Sequence, residues 1–459
     1  MASLSTESLQ RSVPAEVREL CQRLKEAGHR AWIVGGCVRD ELLRRETAHE
    51  ARGDWDIATS ALPEQVQKLF RKVIPTGIQH GTVTVLMKHG QYEVTTLRGE
   101  TTYSDGRRPD AVYFVDDIKD DLARRDFTIN AIAYDVLEDR LIDPFDGAGD
   151  LSRRLLRAVG VASERFAEDG LRVLRGARFA ATLELSLEAE TERAIQPSLA
   201  SYRKVSAERI RDEWLKTMKA KRPSRAFELM KDHGLLAISA PEMLESVGCE
   251  QNKWHAFDVW GHAMSCLDSA PAEPVLRMAA LLHDVGKPRS RAFSEKTQDY
   301  TFYEHERIGA EMVEPMLARL RFSSDEQKRI GALVRHHLVC YDSSWSDAAV
   351  RRWIRRVTPE LLPDLYRLNE ADVRGKGRDC SLDLASLAAL QAHVERVLAA
   401  GAALSMRDLA IDGRALMQEL GLKPGPDLGR ILKTLLDEVV DDPSRNERDA
   451  LLQRARELL

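Results

Sequence analysis

Residues 31–58 read AWIVGGCVRDELLRRETAHEARGDWDIA. Trp32, Ile33 and Val34 form an apolar, strand-like run that meets Gly35-Gly36, and a short helix carrying Arg39 and Asp40 follows. After a charged loop, Asp54 and Asp56 stand two residues apart. On a strand, that spacing puts both carboxylates on one face. Two neighbouring aspartates repel each other unless a cation lies between them. Mg²⁺ takes one or two carboxylates and completes its shell with water and substrate phosphate. The backbone N–H groups of a glycine turn before a helix suit a phosphate. Singly, a DxD or a GG is more often a plain turn; in this order behind an apolar strand, they point to nucleotidyl transfer.

The rest of the chain gives this stretch ample support. Its 459 residues leave room for roughly three domains. Hydrophobic content of 43% and charged content of 31% describe an ordinary globular protein with a large core. The formal net charge is −5, so a nucleic-acid partner must be gripped by a local basic surface. Arginines cluster between 107 and 178. The six cysteines have no CxxC spacing and read as reduced thiols, which excludes a disulfide framework and a zinc ribbon. The opening MASLSTESLQRSVP has no apolar core of a signal sequence, and no run approaches a membrane span in length. The expected location is cytoplasmic.

Periodicity predicts helices over 14–28 and 61–70. Two alternating runs, 82–86 and 92–97, flank the turn of Lys88, His89 and Gly90 and predict an antiparallel hairpin. The hairpin brings Glu93 beside the aspartates as a candidate third carboxylate, an exposed strand glutamate being an equally good account. Residues 99–110, GETTYSDGRRPD, predict a mobile loop carrying Arg107 and Arg108. Residues 120–133, DDLARRDFTINAIA, fit a helix with Arg124, Arg125 and Asp126 near its start, where arginines suit phosphate. Within 164–180, ERFAEDGLRVLRGARFA, the spacing of Asp169, Arg172, Arg175 and Arg178 predicts one helix face. An Asp beside an Arg offers acceptors and donors that can read a base edge; as a plain intrahelical ion pair it contributes about 0.2–0.5 kcal/mol.

VGGCVRD, GDWDIA, RRPD, DLARRDFTINA and EDGLRVLRGARF, in this order, resemble the bacterial tRNA nucleotidyltransferase and poly(A) polymerase family, class II of the polymerase β-like superfamily. The resemblance covers residues from about 31 to about 235. It implies an α+β protein: a small mixed-sheet head followed by a mostly α-helical neck and body. It implies Asp54 and Asp56 as Mg²⁺ ligands; the hairpin adds Glu93 beside them as a catalytic candidate. Gly35, Gly36, Arg39, Arg124 and Arg125 would lie against the triphosphate, and Asp126 and Asn130 would contact the sugar or order the site. Asp169 and Arg172 would pair with the incoming CTP or ATP, supported by Arg175 and Arg178. One metal would lower the pKa of the RNA 3′-hydroxyl and the other would neutralise pyrophosphate. The loop at 105–110 would serve the final A addition.

A second constellation lies downstream: His262, His283-Asp284, His305, His336-His337 and Asp372. Histidines and aspartates spread over several helices can converge on a metal, whereas a single buried His is more often a satisfied core residue. Residues 254–372 resemble the HD phosphohydrolase superfamily, an all-α domain. The resemblance implies His262, His283, Asp284 and Asp372 as ligands of a divalent or transition metal, with His305 and His336 for a second metal or a substrate phosphate. It implies phosphoester hydrolysis, as a 2′,3′-cyclic phosphodiesterase or phosphatase.

The expected segments are a head at 1–150, a neck and body at 151–245, an HD domain at 246–378 and a helical end at 379–459. The expected activity is template-independent CCA addition to tRNA from CTP and ATP. An A-adding enzyme of a split system, a poly(A) polymerase and an inactive RNA-binding protein are the alternatives.

Overall fold

A computed structural model of the protein describes residues 6–43, 55–78, 81–100 and 112–459. The chain divides into two compact units, Met1–Ser239 and Ala240–Leu459.

The first unit is built on a mixed seven-stranded sheet. Its strands are β1 (Ala31–Val34), β2 (Ile57–Thr59), β3 (Val73–Gly77), β4 (Thr82–Leu86) and β5 (Gln91–Thr96). After a separate two-stranded ribbon of β6 (Arg98–Glu100) and β7 (Val112–Phe114) come β8 (Ala133–Asp135) and β9 (Arg140–Ile142). The sheet order is β3-β4-β5-β2-β1-β8-β9. Within this sheet, among the described residues, only β2 and β5 pair in parallel; β4 and β5 form the predicted antiparallel hairpin, with Thr84 opposite Glu93. All four residues of β1 are buried, so it reads as a continuous apolar run rather than an alternation. Val17, Leu20, Cys21 and Leu24 of the amphipathic helix Ala15–Glu26 are buried, and that helix packs on β1. Trp32, Val34, Leu97, Ile118 and Leu122 share one cluster.

Three local expectations change. The described part of the DxD strand starts at Ile57, with Asp56 just ahead of it, and Asp54 lies outside the described residues. Residues 120–133 are not one helix. The helix Ile118–Ala123 ends before the arginines, Phe127 is extended, and a 3₁₀ turn, Thr128–Asn130, follows. The chain turns there because the next residues must enter β8 as a buried strand. Residues 164–180 split into helices Ala162–Glu168 and Leu171–Thr182. At the break Asp169 is extended, and a Cβ on Gly170 would lie 2.3 Å from the Ser201 carbonyl oxygen. A crossing segment therefore occupies the space that a continuous helix would need.

The second unit is helical apart from a small hairpin, Ala292–Ser294 with Asp299–Thr301. Helix Val259–Ser269 packs against Pro274–Leu282 and Leu362–Gly375, and His305–Arg319 packs against Ser324–His336. A long helix runs Ser381–Ala399. Gly421 ends helix Gly413–Leu420 in the left-handed region, φ 66°, and Pro426 opens Pro426–Asp441, the usual positions for these two residues. Leu416, Ile431, Leu435 and Leu451 are buried in the core of this end. Among the described residues, no helix is long and apolar enough to cross a membrane.

Candidate active site

Gly35 sits at the end of β1 with φ +81°, a conformation that costs glycine little. A Cβ there would lie 3.0 Å from Nη1 of Arg125. The glycine thus lets the start of helix Gly36–Leu43 approach the arginine turn. Arg39 from that helix donates through Nη1 to Oδ1 of Asn130 at 2.7 Å. Asn130 donates in turn to Asp126 at 3.0 Å, and Arg125 donates to the Asn130 carbonyl at 3.2 Å. Asp121, buried at the end of its short helix, holds Arg124 at 2.9 Å and Arg125 at 3.2 Å. Burial raises the pKa of Asp121, but these two cations outweigh it and the net shift is downward.

Asp126 is the centre of this network. Nη2 of Arg175 lies 2.6 Å from its Oδ2. Burial opposes the charged carboxylate, yet Arg175 and the Asn130 amide bring its pKa from 3.8 down to about 2. One turn on, Arg178 donates to Glu213 of helix Ala207–Thr217 at 2.5 Å, and its guanidinium stands 4.0 Å from the centroid of the Phe179 ring.

The two residues expected to read the base do not pair with each other. Asp169 accepts from Arg209 at 2.6 and 3.1 Å and caps the backbone N–H of Leu171. Arg172 instead donates to Glu168 at 2.6 Å and to the carbonyls of Arg165 and Arg124. The break at Gly170 turns the Asp169 carboxylate off the helix face that the spacing implied.

Asp56 and Glu93 stand one residue ahead of the parallel pair Ile57–Val94, so adjacent strands carry them side by side. Both line a cleft of about 630 Å³ that is also lined by Gly35, Gly36, Arg39, Arg124, Arg125, Asp126, Asn130, Asp169, Arg172, Arg175, Arg178 and Arg209. Its described lining has nine basic side chains against five acidic ones. Paired carboxylates beside a basic wall fit a hard divalent ion that bridges to phosphate.

In the second unit, five helical elements converge on a buried His–Asp cluster. Nε2 of His262 lies 3.2 Å from Nε2 of His283, 3.4 Å from Asp284 and 3.0 Å from Asp372. His283 is 3.2 Å from Asp284 and 3.7 Å from Asp372. Two imidazole nitrogens facing each other among carboxylates form a donor set that a metal satisfies at once. Asp284 Oδ1 also meets His305 at 3.4 Å and His337 at 3.5 Å. Lys287 sits 2.6 Å from its Oδ2. Burial works against the charged forms of both His283 and Asp284. Their mutual attraction wins, raising His283 and holding Asp284 well below the usual carboxylate range.

His336 is corrected here. It is His337, the next residue, that meets Asp284 and His305, while His336 lines a separate pocket with Arg335, Trp353 and Arg356. Successive helical residues are turned by about 100°, so only one of the pair can enter the cluster.

Residues 31–157 match the poly A polymerase head domain. Residues 184–246 match the probable RNA and SrmB-binding site of polymerase A, and residues 302–455 a putative tRNA nucleotidyltransferase domain 2. A CCA-adding enzyme of Lactobacillus delbrueckii subsp. bulgaricus is 34% identical over 435 residues, 94% of this chain and 95% of that one. The chain belongs to the CCA-adding enzyme family. The CCA-adding enzyme of Lactobacillus gasseri is 51% identical over 214 residues, a stretch spanning 47% of this chain and about half, 52%, of that enzyme. The crystal structure of the Bacillus stearothermophilus CCA-adding enzyme in complex with CTP superimposes with a TM-score of 0.72 at 28% identity, covering 96% of each chain. Nucleotidyltransferases of this family depend on a divalent metal.

Among the described residues, Asp56, Glu93 and the arginine network line one cleft, whereas Asp169 and Arg172 do not pair and His336 lies apart from the His–Asp cluster. Asp54 and the loop at 105–110 lie outside the described residues. Arg209 and Glu213 went unread, and His337 stood in the constellation without a role. The run AERIRDEWLKT that carries Arg209 and Glu213 has a helical period, but nothing in the spacing connects it with Asp169, 40 residues away.

Proposed function

We propose that the head cleft transfers CMP and AMP from CTP and ATP to the 3′ end of tRNA without a nucleic-acid template. The observation that carries this is the lining of one cleft by Asp56, Glu93 and the Asp169–Arg209 pair, with arginines among them. Asp54 and Asp56, with Glu93, would hold Mg²⁺, and its chemistry when bound would be to lower the pKa of the RNA 3′-hydroxyl and to neutralise pyrophosphate charge. Gly35, Gly36, Arg39, Arg124 and Arg125 receive the triphosphate, and Asp126 and Asn130 keep those side chains ordered. Asp169, fixed by Arg209, offers acceptors to the incoming base. Cytosine and adenine both present an exocyclic amine there; uracil and guanine present a carbonyl oxygen, which a carboxylate repels. Arg172 supplies donors for the ring nitrogens, and Arg175 and Arg178 hold the helix that carries it.

The His–Asp cluster is read as an HD-type phosphohydrolase centre acting on phosphoesters such as 2′,3′-cyclic phosphates. His262, His283, Asp284 and Asp372 hold a divalent or transition metal, and His305 with His337 completes the second half. The four-segment division, with a head at 1–150, a neck and body at 151–245, an HD domain at 246–378 and a helical end at 379–459, and a cytoplasmic location belong to this reading.

The test is incubation with Mg²⁺, CTP and ATP of tRNAs ending before the first C, after CC and after CCA. Completion of CCA on the first two, with none added to the third, is expected. Incorporation of ATP only, onto the CC end, would reassign the chain to A addition. Long A tails on unrelated RNA would make it a poly(A) polymerase.

A further inference from the structure

Cys266 lies one turn after His262 on helix Val259–Ser269 and is fully buried. Its Sγ stands 3.9 Å from Nε2 of His262 and 3.3 Å from the Ala371 carbonyl oxygen. The ligand atoms of His262, Cys266, His283 and Asp372 all lie within 4.8 Å of one another. The nitrogen–nitrogen edge is 3.2 Å, and the edges from His262 and His283 to Asp372 are 3.0 and 3.7 Å. A tetrahedral ion with Zn–N near 2.0 Å and Zn–S near 2.3 Å spans edges of roughly 3.3–3.6 Å. The four atoms thus already stand close to such a shell. Gly375 makes the approach feasible: a Cβ there would lie 2.8 Å from Sγ of Cys266, so a larger residue would push helix Leu362–Gly375, and Asp372 with it, away from His262.

We propose that Cys266 is a metal ligand, so that one position of this centre is a Cys-His-His-Asp thiolate site suited to a zinc-class ion rather than Mg²⁺. The proposal rests on the reading of the cluster as a metal centre. A soft thiolate selects thiophilic ions, whereas carboxylates with imidazole accept many. Loading breaks the S–H bond and forms the metal–sulfur bond, and one proton leaves to solvent for each ion bound. Asp284, shared between His283 and the His305–His337 pair, then links this position to its neighbour.

The test uses the full chain, stripped of metal by chelation and titrated with Co²⁺. The wild-type protein is expected to develop cobalt d–d bands together with a thiolate-to-cobalt charge-transfer band in the near ultraviolet. Cys266→Ser is expected to lose the charge-transfer band and keep the d–d bands. A variant with Cys21, Cys37, Cys249, Cys340 and Cys380 all replaced by Ala, which leaves Cys266 as the one thiol, is expected to retain both, which also decides the matter if Cys266→Ser fails to fold. Cobalt bound without the charge-transfer band, or a band that survives in Cys266→Ser, overturns the thiolate ligand and leaves the metal centre standing. Failure of the wild-type protein to bind Co²⁺ at all overturns the metal centre and the proposal with it.

Discussion

Asp126 and Arg175 meet at 2.6 Å and join the turn after helix Ile118–Ala123 to helix Leu171–Thr182. That ion pair fastens the two halves of the nucleotide cleft to each other. The same carboxylate orders Asn130, and through it Arg39.

The pair makes acid stability depend on Asp126. Its folded pKa, about 2, lies below the ordinary 3.8. Its contribution is therefore complete above pH 4 and is lost as the pH falls towards 2, amounting to about 2 kcal/mol. Asp126→Asn is expected to unfold at a higher pH than wild type and to show a shallower pH dependence between pH 4 and 2. Parallel acid titrations of the two proteins by circular dichroism check this; coincident curves would remove Asp126 from the account.

Arg209 is expected to matter for nucleotide choice through Asp169. Arg209→Ala frees the carboxylate from the guanidinium that grips it at 2.6 Å. The loss of kcat/KM for CMP addition is expected to be about 10- to 100-fold, the worth of a charge-assisted hydrogen bond. Arg209→Lys should recover part of it, since lysine restores charge but not the two-pronged grip. Full activity in the alanine variant would show that Asp169 needs no anchor.

The broad plan was legible from residues because it depends on local patterns: an apolar β1, the glycine turn, the β4–β5 hairpin and the long C-terminal helices. Glu93 could be placed beside Asp56 because strand alternation carries over distance. What could not be read depended on contacts between distant segments. Ser201 crowding Gly170 breaks the helix after Asp169, and Arg209 captures the freed carboxylate. The choice between His336 and His337 turns on the rotation of helix Ser324–His336 about its axis, which an HH dipeptide does not reveal.

That rotation is open to test. His337→Ala should lower the metal bound by the second unit, because its Nε2 faces Asp284 and His305. His336→Ala should leave metal content unchanged, since its side chain lines another pocket. Elemental analysis of both purified variants decides, and equal depletion would place both rings at the centre.

The two centres should be separable. Asp56→Ala is expected to abolish nucleotide addition and spare hydrolysis of a 2′,3′-cyclic nucleotide, and Asp284→Ala to do the reverse. Assaying both reactions on both variants tests this; loss of both activities in either variant would mean that the sites act as one.

A side chain, Asp169, takes the place of a template base in the proposed mechanism. Sequencing the 3′ ends that wild type and Asp169→Ala build on a tRNA lacking CCA, with all four nucleoside triphosphates present, tests it most directly. Wild type should yield CCA, and the variant should add UMP and GMP at frequencies approaching those of CMP and AMP. Ends of pure CCA from the variant, made at whatever rate, would contradict the claim.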